Sequence, residues 1–102
     1  MSLKKQYLKS KSQCKVTFSL PKEAVGGAKQ VTLVGDFNDW DTTATPMKKQ
    51  KDGGVSVTLS LDLGREYQFR YLIDGTRWEN DWCAEKYVPS ALGGADNSVL
   101  VL

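Results

Sequence analysis

Along most of this chain apolar and polar residues alternate one by one, the two-residue period of strands whose faces meet different surroundings. In Lys15–Leu20, Val16, Phe18 and Leu20 share one face and Thr17 and Ser19 the other, and Pro21 ends the segment. Gln30–Val34 is β-branched and predicts a second strand. Alternation is cleanest over Val55–Leu61, with Val55, Val57, Leu59 and Leu61 facing in and Ser56, Thr58 and Ser60 facing out. The Asp52-Gly53-Gly54 run before it is a turn signal. Tyr67, Phe69, Tyr71 and Ile73 line one face of a further strand, with Gln68, Arg70 and Leu72 opposite, and Asp74-Gly75 predicts a hairpin turn into Thr76–Glu79. The last strand is Asn97–Leu102, whose nearly continuous apolar run leaves its faces open. Val25–Gly27 reads as a turn and Ala91–Asp96 as a Gly-rich loop, while Pro89 keeps the segment before it out of any central strand. Six or seven short strands separated by turn signals predict an all-β protein, an antiparallel β-sandwich of immunoglobulin-like type. Its expected core includes Val16, Phe18, Leu33, Val57, Leu59, Phe69, Tyr71 and Val99.

The 102 residues make one domain with one modest core. Hydrophobic residues at 40% and charged residues at 25% suit a soluble globular chain, and no apolar run reaches the roughly 20 residues of a membrane-spanning helix. The N-terminus lacks the apolar stretch of a secretory signal. The expected setting is therefore the cytoplasm, with Cys14 and Cys83 as free thiols. The absence of histidine removes every His-based triad and metal site. Net charge is +2, but Lys4, Lys5, Lys9, Lys11 and Lys15 crowd the first fifteen residues, and the remainder sums to −3. Residues 1–14 are thus expected as a basic, solvated and frayed tail, and 15–102 as the sandwich. A nucleic-acid binder would carry its basic surface on the fold, so no nucleic acid and no membrane is expected as a partner.

Two aromatic constellations stand out. In Gly35-Asp36-Phe37-Asn38-Asp39-Trp40 a glycine ends a strand, an Asp/Asn turn follows, and Trp40 sits in a polar context. Trp40 is either a half-buried loop anchor or an exposed platform. In Asp74–Trp82, Trp78 follows a tight turn between Arg77 and Glu79, and Trp82 lies between Asp81 and Cys83. Flat aromatic faces stack on the axial C–H groups of sugar rings, while amides, carboxylates and cations at the edge take the hydroxyls. Asn38, Arg70, Asn80, Asp96 and Asn97 could supply that polar edge, with Arg70 expected on the outer face, opposite the core stripe of its strand.

Four segments occur in order: Val31–Trp40 (V-T-L-V-G-D-F-N-D-W), Phe69–Gly75 (F-R-Y-L-I-D-G), Trp78–Asp81 (W-E-N-D) and Leu92–Val99 (L-G-G-A-D-N-S-V). Together they resemble the family-48 carbohydrate-binding modules, the β-sandwiches of glycogen branching and debranching enzymes and of the AMP-activated kinase β subunit. The resemblance covers Val16 to Leu102. It implies that two tryptophans stacking on glucose match Trp40 and Trp78. A basic residue on the neighbouring strand matches Arg70, a late-loop leucine matches Leu92, and a hydroxyl-binding Asn matches Asp96, with the next Asn retained as Asn97. A loop Thr of the kinase-type members is replaced by Gly94, and an Asp-Pro becomes Asp81-Trp82. These departures lean toward the enzyme-appended members.

Relatives that act chemically on α-glucans do so in a separate barrel of about 250 residues, for which there is no room here. The twelve acids sit mainly in turns, where Asp is a turn former. The expectation is a non-catalytic binder of glycogen or starch-like α-1,4-linked chains, needing neither metal nor organic cofactor. A glycogen-metabolising enzyme and a weak homodimer through Trp82 are the further partners considered. The alternative is a regulatory domain of the same fold that recruits an enzyme without binding sugar.

Overall fold

The computed structural model describes residues 2–9, 12–90 and 95–102. The strands form where the alternation predicts them, and three more join them. In chain order they are β1 (Ser2–Tyr7), β2 (Gln13–Leu20), β3 (Val31–Gly35), β4 (Lys48–Lys49), β5 (Val55–Asp62), β6 (Glu66–Ile73), β7 (Arg77–Glu79), β8 (Lys86–Pro89) and β9 (Asp96–Val101). One sheet runs β1-β2-β5-β4 and the other β3-β6-β9-β8, with β7 also paired to β6. Every pairing is antiparallel, so the immunoglobulin-like sandwich expected from the alternation is the fold.

The inner faces meet through Val16, Phe18 and Leu20 of β2, Val31 and Leu33 of β3, and Tyr67, Phe69, Tyr71 and Ile73 of β6. Phe18 meets Phe69 edge-on at 5.3 Å, and Phe69 meets Tyr71 the same way at 5.7 Å, the arrangement that ring quadrupoles favour. Val57 and Leu59 are half-buried against this core. Val99 is buried, but its register with Gln68 places it on the outer face, apart from the core.

The structure corrects two further local expectations. Residues Ser2–Tyr7 are no frayed tail: they pair with β2 in six-residue register, from Ser2↔Ser19 to Tyr7↔Cys14. Lys5 shares a face with Val16, yet its ammonium reaches the rim, where it pairs with Glu85 and donates to the Val101 carbonyl at 2.9 Å. A charge that satisfies donors at the sheet edge can close the sandwich where an unpaired one could not. Val25 ends a one-turn helix, α1 (Lys22–Val25), that Gly26 closes in the left-handed region at φ 60°. The segment before Pro89 stays out of the central strands as expected: it is β8, at a sheet edge where proline's missing N–H is tolerated.

Candidate functional site

The outer face of the β3-β6-β9 sheet breaks the alternation seen elsewhere. Val34 (0% exposed), Leu72 (5%) and Val99 (1%) occupy outward positions, yet water does not reach them. Val34 stands opposite Arg70, and Leu72 is flanked by Thr32 on β3 and Trp78 on β7. Register thus brings Trp78 and Arg70 to one face, two residues apart along β6. Trp78 is 43% exposed and Arg70 half-buried.

Arg70 is not a freely solvated cation. Its Nε donates to Asn97 Oδ1 at 2.6 Å and a terminal nitrogen to the Ala95 carbonyl at 3.3 Å. Asn97 is buried and passes the chain on, its Nδ2 donating to Gln68 Oε1 at 3.0 Å. Arg70, Asn97 and Gln68 therefore form one polar track across β6 and β9.

The other tryptophan is held at the end of β3. Gly35 sits tight against β6: a β-carbon there would lie 2.5 Å from the Gln68 carbonyl and 2.9 Å from the Phe37 ring. Only glycine lets the following helical turn, Asp36–Asn38, fold Phe37 back against Phe18 at 5.7 Å. Trp40 ends this loop half-buried, its indole Nε1 donating to Asp36 Oδ1 at 2.9 Å. Asp36 Oδ2 accepts from the backbone N–H of Gln68 at 2.7 Å. Of the two readings of Trp40, the geometry matches an anchored ring rather than a freely exposed one. The β6 residues linked to the two tryptophans, Gln68 through Asp36 and Leu72 by pairing with Trp78, are four positions apart, about 13 Å at strand rise.

Other residues named from the sequence are placed differently. Asn38 spends its amide on the loop: Oδ1 accepts from Gly35 N, and Nδ2 donates to the Leu33 carbonyl and Thr45 Oγ1. Its duty is therefore to hold the loop. Asp96 is exposed at the start of β9, and alternation puts it on the opposite side of the strand from Asn97. Asn97, rather than Asp96, joins the Arg70 face. Leu92 and Gly94 lie outside the described residues. Asn80 donates to the Asp96 carbonyl at 2.9 Å and accepts from Ser98 Oγ at 2.8 Å, so it too is structural. Trp82 is 55% exposed.

Beneath this face lies a carboxylate that alternation could not reveal. Asp81 is fully buried, with Tyr71 Oη donating to Oδ2 at 2.8 Å and Cys83 N to Oδ1 at 2.8 Å. Its own N–H donates to Ser98 Oγ at 2.8 Å, and Tyr87 Oη donates to its carbonyl. Burial first, and then the charge and hydrogen bond of Asp81, push the Tyr71 phenol far above its ordinary range. The network pins the chain that follows Trp78. Among the described residues no cluster of His, Cys, Asp and Glu could hold a metal ion.

Residues 14–88 match the family described as carbohydrate-binding module 48, the isoamylase N-terminal domain. The chain is 37% identical to 5'-AMP-activated protein kinase subunit beta-1 of Sus scrofa over 76 residues, 74% of this chain and 57% of that protein. Against the Rattus norvegicus subunit beta-1 the figures are 36% over 76 residues, 74% of this chain and 26% of that protein. The 1,4-alpha-glucan branching enzyme GlgB of Aquifex aeolicus is 46% identical over 57 residues, 53% of this chain but 9% of the enzyme. The chain spans from under a tenth to somewhat over half of these relatives.

Proposed function

The chain belongs to the carbohydrate-binding module 48 family, and from that premise we propose that it is a non-catalytic binder of α-1,4-linked glucan, glycogen or a starch-like chain. Exposed Trp78 and the uncovered part of the tethered, half-buried Trp40 ring are the stacking platforms, and Arg70 and Asn97 meet hydroxyls between them. The observation that carries this reading is the placing of exposed Trp78 beside Arg70 on an outer face that also carries buried Val34, Leu72 and Val99. The name of the branching-enzyme relative supports a role in α-glucan metabolism. The sandwich of residues 15–102 is the sugar-binding unit, and β1 completes its edge.

By analogy with bases stacking on aromatic side chains, each ring contributes about 1–3 kcal/mol. Two rings and a few hydrogen bonds exposed to water give a Kd on the order of 10–1,000 μM. Because Trp40, through Asp36, and Trp78, by pairing, are linked to β6 positions about 13 Å apart, one glucose is not expected to engage both, and affinity is expected to rise with chain length. The test is native-gel retardation in glycogen. Wild-type protein is expected to be retarded, and folded Trp40→Ala and Trp78→Ala variants to lose about tenfold in retention each. Folded variants retarded as strongly as the wild type would move the site elsewhere on the sandwich. Reducing sugar released from glycogen by the pure protein would refute the non-catalytic part.

The second reading is a regulatory domain that docks on an enzyme without holding sugar. It is favoured by the small share of the branching enzyme that this chain matches, since such a module accompanies a much larger body. Unretarded, folded wild-type protein would select it.

A further inference from the structure

We propose that Asp36 is the positioning residue of the glucan face: its carboxylate fixes the Trp40 ring in the orientation in which it stacks. This rests on the glucan reading above. Asp39 (φ 56°) and Trp40 (φ 57°) are both left-handed, a region where the β-carbon crowds the backbone and where a bulky residue is rare. The chain holds that pair by closing Trp40 N on the Gly35 carbonyl at 2.9 Å. Backbone strain of this kind persists only where surrounding contacts over-determine it. The contact that does so at the side chain is Asp36.

The geometry demands a carboxylate. The β3–β6 ladder ends at the Gly35↔Phe69 pair, and one residue further along β6 the Gln68 N–H turns to Asp36 Oδ2 at 2.7 Å. The other oxygen takes the indole N–H at 2.9 Å. Two donors thus converge on one side chain, one from the ring and one from the strand that carries Arg70. Aspartate offers two acceptors and no donor, whereas the isosteric asparagine offers one acceptor and would turn its NH₂ against an N–H. Charge strengthens both bonds. A ring held this way is already ordered when the sugar arrives, so binding does not bear the cost of ordering it.

The test uses the full chain, with maltoheptaose as probe, calorimetry for affinity and ¹H–¹⁵N spectra of the indole groups. In the wild type, the Trp40 indole proton is expected to exchange with solvent more slowly than that of Trp78; equal rates would overturn the tether, and this readout needs neither variant nor sugar. In Asp36→Asn the Trp40 cross-peak is expected to move and those of Trp78 and Trp82 to stay, while maltoheptaose affinity falls about tenfold. In a Trp40→Phe background, which removes the indole donor, the same change is expected to cost no further affinity. An unmoved Trp40 cross-peak, an unchanged affinity, or an equal loss in the Trp40→Phe background each overturns the role of Asp36. Asp62→Asn, on the far sheet, serves as the charge-matched control and is expected to bind as wild type. Wild-type protein that ignores maltoheptaose overturns the glucan reading itself, and the binding role of Asp36 with it. Wild-type binding with an unaltered Asp36→Asn overturns Asp36 alone.

Discussion

The two sheets turn very different outer faces to their surroundings. On the β2-β5 pair the outward residues are Lys15, Thr17 and Ser19 against Ser60, Thr58 and Ser56, and Thr17 and Thr58 share a 2.9 Å hydrogen bond between their hydroxyls. None of these six is apolar. On the β3-β6-β9 sheet the corresponding outward positions include Val34, Leu72 and Val99, all buried, set beside Arg70 and Trp78. The first face is made for water and its alternation is complete. The second behaves as a shallow apolar floor bordered by an aromatic ring and a fixed cation. Lost alternation on a strand that remains paired therefore marks a face whose outward apolar side chains are covered by their neighbours.

The sharpest way to break this comparison is to place a charge on each face. Leu72→Asp buries a carboxylate between Thr32 and Trp78, with no cation opposite it in register, and is expected to cost about 4 kcal/mol or more in denaturant unfolding. A loss under 1 kcal/mol would mean that the floor is open to water after all.

A second contrast is titration beneath the site. Tyr71 ionises at 10.0 when unperturbed and is pushed well above that in the fold. Below that ordinary value both folded and unfolded chains keep the proton, so the stabilisation is complete. As pH rises through it the unfolded chain releases the proton while the folded chain does not, and stability falls. The melting temperature is expected to drop above about pH 10, with a shallower drop in Tyr71→Phe. Parallel profiles for the two proteins would count against the buried network.

Arg70→Ala probes the polar border of the floor. Its contacts compete with water, so the expected loss of maltoheptaose affinity is about threefold, smaller than for either ring. A loss larger than that of Trp78→Ala would recast Arg70 as the principal contact. The smallest effect belongs to the other face. Ser60→Asp sets a carboxylate opposite Lys15, and stability is expected to change by less than about 0.5 kcal/mol. A change as large as that of Leu72→Asp would erase the distinction between the faces.

Local pattern alone determined much of this molecule. The inward stripes of β2, β5 and β6 are legible because a strand's period is two and burial on one face selects apolar residues at every second position. The turn at Asp74-Gly75 and the loop that carries Trp40 are legible because their residues favour left-handed or reversed backbone. Trp40, Trp78 and Arg70 could be named as candidates from residue type and order. Tertiary structure decided the rest, because it depends on pairings between distant segments. β1 reads as a charged tail until β2 offers it a backbone edge and Glu85 takes up Lys5. Asp81 reads as one more turn residue until Tyr71, ten positions earlier, and Ser98, seventeen later, surround it. Asn97 and Asp96 are neighbours in sequence, and only the register of β9 against β6 sends one to the Arg70 face and the other away. The two donors that meet on Asp36 come from Trp40 and from Gln68, thirty-two residues away, and no spacing along the chain reveals a convergence that exists only once β3 lies beside β6.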